Sequence, residues 1–236
     1  MDRDHNKKFD DIVYTALTII GTICLFSVII LGSFHLMIFY KGFYFQEYYK
    51  NGVYAKLSSN ETQAMTMAQN ITDNIFDYFH GKAELNYFDA KEVSHMQDVK
   101  NLIALMDMMY YLSAIIFVCI FFYIYIQFNK DIMKFLEKTY SMIIYGAIAA
   151  MVFLVLFFII TVFYFEPFFI MFHLLFFPQG NWVFAPTSLL ITIFPEQFFI
   201  DITLRIFVFA LVQAIVFLII GIWVRKNVRL HHKYNR

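Results

Sequence analysis

Charge and helix-breaking residues are what this 236-residue chain has least of. Only 15% of its positions are charged, Lys plus Arg and Asp plus Glu balance at 18 each, and there are 4 prolines and 8 glycines. With 61% hydrophobic residues and a mean hydropathy of +0.62, too little polar surface remains to cover a water-soluble domain. The two cysteines, Cys24 and Cys119, both sit inside apolar runs, which excludes a disulfide framework or a cysteine zinc site and leaves small buried hydrophobes. No phosphate-binding loop and no basic stripe occurs, which excludes nucleotide and nucleic-acid chemistry. The first apolar stretch lacks the small-residue cleavage pattern of a signal peptide and is too long for one, so it is expected to stay in the mature protein. Internal repeats, the signature of many transporters, are missing as well. Asn60-Glu-Thr and Asn70-Ile-Thr match glycosylation acceptors, which matter only in a eukaryotic secretory pathway.

What the chain has is aromatic and aliphatic length, with 31 Phe and 16 Tyr. Four stretches approach or exceed the twenty apolar residues that a membrane span needs, at about 12–40, 102–128, 140–165 and 206–224. The expected fold class is therefore an all-α integral membrane protein of four transmembrane helices, forming a single membrane domain over 1–236. Lys and Arg accumulate on the cytoplasmic side of such proteins. Arg3, Lys7 and Lys8, then Lys130, Lys134 and Lys138, then Arg225, Lys226, Arg229, Lys233 and Arg236 lie in three short segments that hold 11 of the 18 basic residues. Both termini are thus expected in the cytoplasm, with outer loops at 41–101 and 166–205.

The first outer loop is long enough to fold into a helical cap. Ser58 with Glu61 has capping-box spacing, and Ala64, Met67, Ala68, Ile71, Ile75, Tyr78 and Phe79 recur at helical intervals until Gly81. Asp89 with Glu92 makes a second cap-like start, followed by Val93, Met96, Val99, Leu102 and Ile103, so that this helix is expected to run straight into the second span. The second outer loop reads as two short interfacial elements joined by a turn at Gly180 and Asn181. Gly146, Ala147 and Ala150 predict close helix packing in the third span. Asp107, Arg205 and Gln213 are polar enough to line a cavity.

Chemistry-bearing residues gather in these outer loops. Between Pro167 and Pro178 an aromatic run of about ten residues, roughly 15 Å of helix, is too short to span and carries His173. His95 lies about seven residues before the second span. Glu92 and Asp98 flank it at one-turn spacing, which suits a carboxylate that fixes an imidazole tautomer, and equally suits a solvated acidic face. Gly180, Asn181 and Trp182 follow the His173 run and offer backbone, amide and indole groups for an oxyanion or substrate, or merely the turn itself. A metal site of His95, His173 and one carboxylate is a rival arrangement, without any HExxH pattern behind it.

The motifs YFDAKEVSHMQDVKNL (Tyr87 to Leu102), FHLLFFPQGNWVF (Phe172 to Phe184) and IFPEQFF (Ile193 to Phe199) resemble the family of four-span bacterial membrane proteins that contains the lipoprotein intramolecular transacylase of Gram-positive bacteria. The resemblance implies an acyltransferase of the bacterial plasma membrane, without a cofactor or nucleic-acid partner and with its site on the outer face. Its substrate would be a diacylated lipoprotein held in membrane lipid. One acyl chain would move from the S-diacylglyceryl group to the α-amine of the N-terminal cysteine, giving the lyso form. His95 and His173 would be catalytic, one as base and the other as acid or oxyanion partner, or one as a nucleophile that forms an acyl-imidazole. Glu92 and Asp98 would support them, and Gly180, Asn181 and Trp182 would bind the oxyanion or substrate. A metal-dependent membrane hydrolase and a non-catalytic scaffold or transporter are the alternatives.

Overall fold

The computed structural model describes residues 2–128 and 131–234, with side chains from residue 11 onward. Lys130 and Arg236 fall outside these residues, as do the side chains of Arg3, Lys7 and Lys8. Nine helices and no strand occur among the described residues: α1 (Asp2–Ile38), α2 (Lys41–Lys50), α3 (Val53–Leu57), α4 (Glu61–Phe79), α5 (Ala90–Gln127), α6 (Ile132–Phe163), α7 (Phe165–Phe176), α8 (Leu189–Ile193) and α9 (Glu196–Tyr234). Parts of α1, α5, α6 and α9 are long and apolar enough to cross a membrane. In each of the last three, the helix begins well before the apolar stretch does. The backbone divides into two compact units. Residues 1–33, 107–157 and 207–236 make up the first, and 34–106 with 158–206 the second.

The first unit holds most of the apolar helix length. Many of its hydrophobic side chains face outward, among them Ile115, Val118, Phe122, Leu156 and Ile219, as lipid contact requires. Inside, Leu25 and Ile29 of α1 pack with Ala150 and Leu154 of α6 and with Ala210 and Ala214 of α9. The backbones come close at Gly146, where a Cβ would stand 2.9 Å from Leu25 Cβ. Gln213 Nε2 donates to Ser33 Oγ at 2.7 Å.

The second unit has a core of its own. Ala64, Ala68, Ile71, Ile75 and Tyr78 of α4 are buried at the expected helical spacing, most of them against Phe43, Tyr48, Val53, Leu190, Ile193 and Phe198. The helix starts two residues later than Ser58 predicts. Asn60 Oδ1 accepts from Gln63 N at 3.0 Å and is the cap, while Ser58 Oγ accepts from Asn60 N. Asn ranks with Ser as a cap, and here the nearer residue takes the role. At the other end Gly81 adopts φ +72°, the left-handed turn that suits glycine after a helix. α2 and α3 carry no clean apolar stripe and are visible only in the structure.

Two features of this unit set the position of α5. Asn74 of α4 donates to Glu84 O at 2.7 Å and accepts from Asn86 N at 3.0 Å, fastening the connecting loop. A reciprocal capping box then starts the helix: Asp89 Oδ1 accepts from Glu92 N at 2.8 Å, and Glu92 Oε2 accepts from Asp89 N at 3.0 Å. As expected, α5 runs unbroken from this cap into its apolar segment.

Candidate functional site

His95 lies in the second turn of α5 and His173 near the end of α7, both within the second unit and both more than nine-tenths buried. Their rings face each other, with centroids 6.0 Å apart and planes 26° from parallel. α7 has an inverted distribution of polarity. Its only buried residue is His173, whereas Met171, Leu174 and Leu175 are around 60% exposed or more. In water such an exposed apolar face would be untenable at this size, but lipid accounts for it.

Aromatic rings wall the histidine pair. Phe177 meets His95 edge-on at 4.8 Å and His173 at 5.4 Å. Phe169 lies 4.1 Å from His173, Trp182 4.8 Å from His173, and Phe184 5.6 Å from His95. Burial among these rings pushes both imidazoles below the usual histidine range, His95 to about 4 with His173 adding to the effect. Asp98 and the Asn181 amide pull His95 the other way. Both rings are therefore neutral at pH 7.

The tautomer of His173 follows from its partner. Its Nδ1 stands 2.8 Å from Phe169 O. A carbonyl can only accept, so Nδ1 carries the hydrogen and Nε2 bears the lone pair. Among the described residues, no hydrogen bond engages Nε2 of either histidine.

The chain from 177 to 184 supplies the polar side of the site. A turn with Pro178 and Gln179 at its centre is closed by Gly180 N donating to Phe177 O at 3.1 Å, with Gly180 at φ +73°. It aims Gln179 and Asn181 at Asp98 of α5. Gln179 Nε2 donates to Asp98 Oδ2; Asn181 Nδ2 donates to the same oxygen at 2.7 Å and lies 3.2 Å from Ser94 Oγ. Lys91 adds a further tie, donating to Val183 O at 2.5 Å and lying 5.4 Å over the Phe184 ring. Three buried polar atoms beside the histidines have no hydrogen bond: His95 Nδ1, Asn181 Oδ1 and Trp182 Nε1.

Of the residues singled out from sequence, His95, His173, Asp98, Asn181 and Trp182 converge here, and Gly180 makes the turn that presents the last two. Glu92 is placed differently. It is 2% exposed, and its oxygens go to Asp89 N and to Leu190 N at 2.9 Å, so its carboxylate serves the backbone. Ser94, Phe177, Gln179 and Phe184 were not anticipated, and only their closeness in sequence to the two histidines points to them. No group of three His, Cys, Asp or Glu side chains among the described residues is arranged to hold a metal ion.

Comparison with known proteins extends this picture. Among curated protein sequences no relative matches. The fold resembles solved structures of the membrane-integral lipoprotein intramolecular transacylase Lit from Bacillus cereus. One is 20% identical with a TM-score of 0.73, covering 92% of this chain and 98% of that one. A second, carrying a histidine-to-arginine substitution, is 19% identical with a TM-score of 0.79 and covers 98% and 100%. A third, with a histidine-to-alanine substitution, is 19% identical with a TM-score of 0.77 and covers 95% and 99%. At these identities the likeness concerns the fold. The sequence model of the family described as "Lipoprotein intramolecular transacylase Lit" matches residues 19–199, a range that takes in both histidine elements and the turn between them and Asp98; this chain belongs to that family.

Proposed function

We propose that this protein moves one acyl chain from the S-diacylglyceryl group of a lipoprotein's N-terminal cysteine to that residue's α-amine, at the outer face of the bacterial plasma membrane. The observation that carries the proposal is the pair of buried, neutral imidazoles 6.0 Å apart, adjoining an apolar face that only lipid would cover.

The proton balance of the reaction calls for two bases. An N-terminal amine is an ammonium near neutral pH, and turning it into an amide removes two protons, of which the departing glycerol oxygen takes one. His95, in which the nearby Asp98 charge partly offsets the effect of burial, takes the ammonium proton, passes it to water and frees the amine. The amine attacks the ester carbonyl. His173 Nε2 accepts the second proton as the C–N bond forms and returns it to the glycerol oxygen as the C–O bond breaks. The Trp182 indole N–H, buried and without a partner, is suited to the oxyanion of the tetrahedral intermediate. Substrate and enzyme share the membrane, which supplies much of the proximity the transfer needs.

The test is expression in cells whose lipoproteins are otherwise only diacylated, followed by mass spectrometry of their N-terminal peptides. N-acylated, monoacylglyceryl peptides are expected with the natural protein and none with His95→Ala or His173→Ala. Unchanged diacylglyceryl peptides in the first case, or full product in both variants, would overturn the proposal.

A further inference from the structure

We propose that Asn181, held by Asp98 and Ser94, sets the tautomer of His95, so that the proton sits on Nδ1 and the lone pair on Nε2. This rests on the two-base reading of the site and gives the second base its orienting partner.

The inference starts from the amide. Asn181 Nδ2 lies 2.7 Å from Asp98 Oδ2. An ionised carboxylate can only accept, so the end of the amide that faces it must be the NH₂. Reversing the amide would set two acceptors against each other. Ser94 and Asp98 stand one helical turn apart on α5, and Asn181 Nδ2 reaches both of them. Gln179 donates to the same Asp98 oxygen and helps hold the carboxylate in place. The orientation of Asn181 is thereby determined, and Oδ1 is turned to the other side, where it is buried without a donor.

His95 is the ring beside it. It neighbours Ser94 in the chain and precedes Asp98 by three residues, and the Asn181 amide lies close enough to favour the ring's charged form. Its Nδ1 is also buried without a partner. A lone pair on Nδ1 would leave two unpaired buried acceptors in one place and put the hydrogen on Nε2, the nitrogen that would have to act as base. With the hydrogen on Nδ1, the two atoms that the structure leaves without partners become a donor and an acceptor, a matched pair instead of two lone pairs. His173 Nδ1 already donates to Phe169 O in this way. The two rings then work with the same nitrogen, each directed by a different backbone segment. Besides its direct charge effect on the ring, the carboxylate orients the amide that faces His95, which makes Asn181 and Asp98 positioning residues.

The experiment uses the full-length protein in detergent micelles with ¹⁵N-labelled histidine rings. The chemical shift of a ring nitrogen distinguishes a protonated from a bare one, and spectra of His95→Gln and His173→Gln identify the two signals. His95 is expected to be mainly the Nδ1–H form at pH 7.5 in the natural protein. In Asn181→Leu, which keeps the shape and removes the acceptor, that form loses its majority, while His173 keeps its Nδ1–H signal and so reports an intact fold. A mainly Nε2–H His95 in the natural protein overturns the inference, as does an unchanged His95 tautomer in Asn181→Leu. Because the readout is not activity, these outcomes are separate from failure of the transfer reaction, which would show as absent lyso product with the tautomers as described.

Discussion

His95 and His173 come from helices of different chain regions and meet ring to ring at 6.0 Å, with burial depressing the proton affinity of both. Two neutral imidazoles at this distance are coupled, since protonating one makes protonation of the other harder.

Acid should therefore destabilise the protein through these rings. Each has a folded-state pKa below its unfolded value of about 6.5, so the unfolded chain binds more protons. Their contribution is complete above about pH 6.5 and is lost as pH falls from there, for His95 down to about 4, with a slope of up to about 1.4 kcal/mol per pH unit for each ring. Thermal unfolding of the purified protein between pH 7.5 and 5 should show a falling midpoint, and the fall should be shallower in His95→Gln. Parallel curves for the two proteins would contradict this.

Glu92 offers a test of structure against chemistry. Its carboxylate accepts from Asp89 N and Leu190 N, joining the start of α5 to α8 across 98 residues of chain. Glu92→Ala leaves two backbone donors without partners, a loss of roughly 1–3 kcal/mol for the buried one. A lower unfolding midpoint and faster hydrogen exchange at the Leu190 amide are expected, with Glu92→Gln in between. Loss of transfer in Glu92→Gln at an unchanged midpoint would instead assign Glu92 to the chemistry.

The sequence disclosed the spans, the stripe on α4, the Asp89 to Glu92 cap and the short α7, because each depends on residues within a turn or two of one another. The two histidines were visible as ionisable groups close to apolar runs. Their surroundings were not. The spacing of Glu92, His95 and Asp98 places three side chains on one helix face, and it cannot tell that Glu92 turns to Leu190 and Asp98 to Asn181. The choice at Asp98 is made by Gln179 and Asn181, more than 80 residues away, through a turn that includes Pro178 and Gly180. α2 and α3 escaped notice because Phe43, Tyr44, Glu47 and Tyr48 bury a face that mixes aromatic and charged residues, which blurs the helical period.

Glu47 is the second buried acid, and its neighbours make its behaviour testable. It is 6% exposed. Burial, with Asp201 beside it, raises its pKa, whereas Asp201, despite burial, is held below the usual carboxylate range by Lys50, Glu47 and Gln197. A raised folded-state pKa means that the stability present at low pH is lost as pH rises through it. Glu47→Gln keeps the shape and an acceptor for Asn51, which donates to Glu47 Oε2 at 3.1 Å. Its unfolding midpoint should equal or exceed that of the natural protein at pH 8, with the difference shrinking toward pH 4. Asp201→Asn breaks the ion pair with Lys50 and should lower the midpoint at pH 8.

Two glycines with the same clearance should respond in opposite ways to alanine. A Cβ on Gly146 of α6 would lie 2.9 Å from both Cβ and Cδ2 of Leu25. Leu25 is fully buried in the first unit, between Ala150 and Ala210 and their neighbours, and its Cβ moves only if α1 moves. Gly146→Ala must therefore separate two packed membrane helices, and overpacking of this kind costs about 1–3 kcal/mol. A Cβ on Gly42 of α2 would also meet an atom at 2.9 Å, but that atom is the hydroxyl oxygen of Tyr40, the far end of a side chain that is 48% exposed and free to swing away. Replacing a helical glycine by alanine contributes up to about 1 kcal/mol of helix propensity, so Gly42→Ala should be neutral or stabilising. Unfolding midpoints of the two variants in one detergent should fall on opposite sides of the natural protein's or, at the least, several degrees apart. A Gly146→Ala protein as stable as the natural one would mean that α1 and α6 can yield at this contact and that the glycine is not what lets them approach.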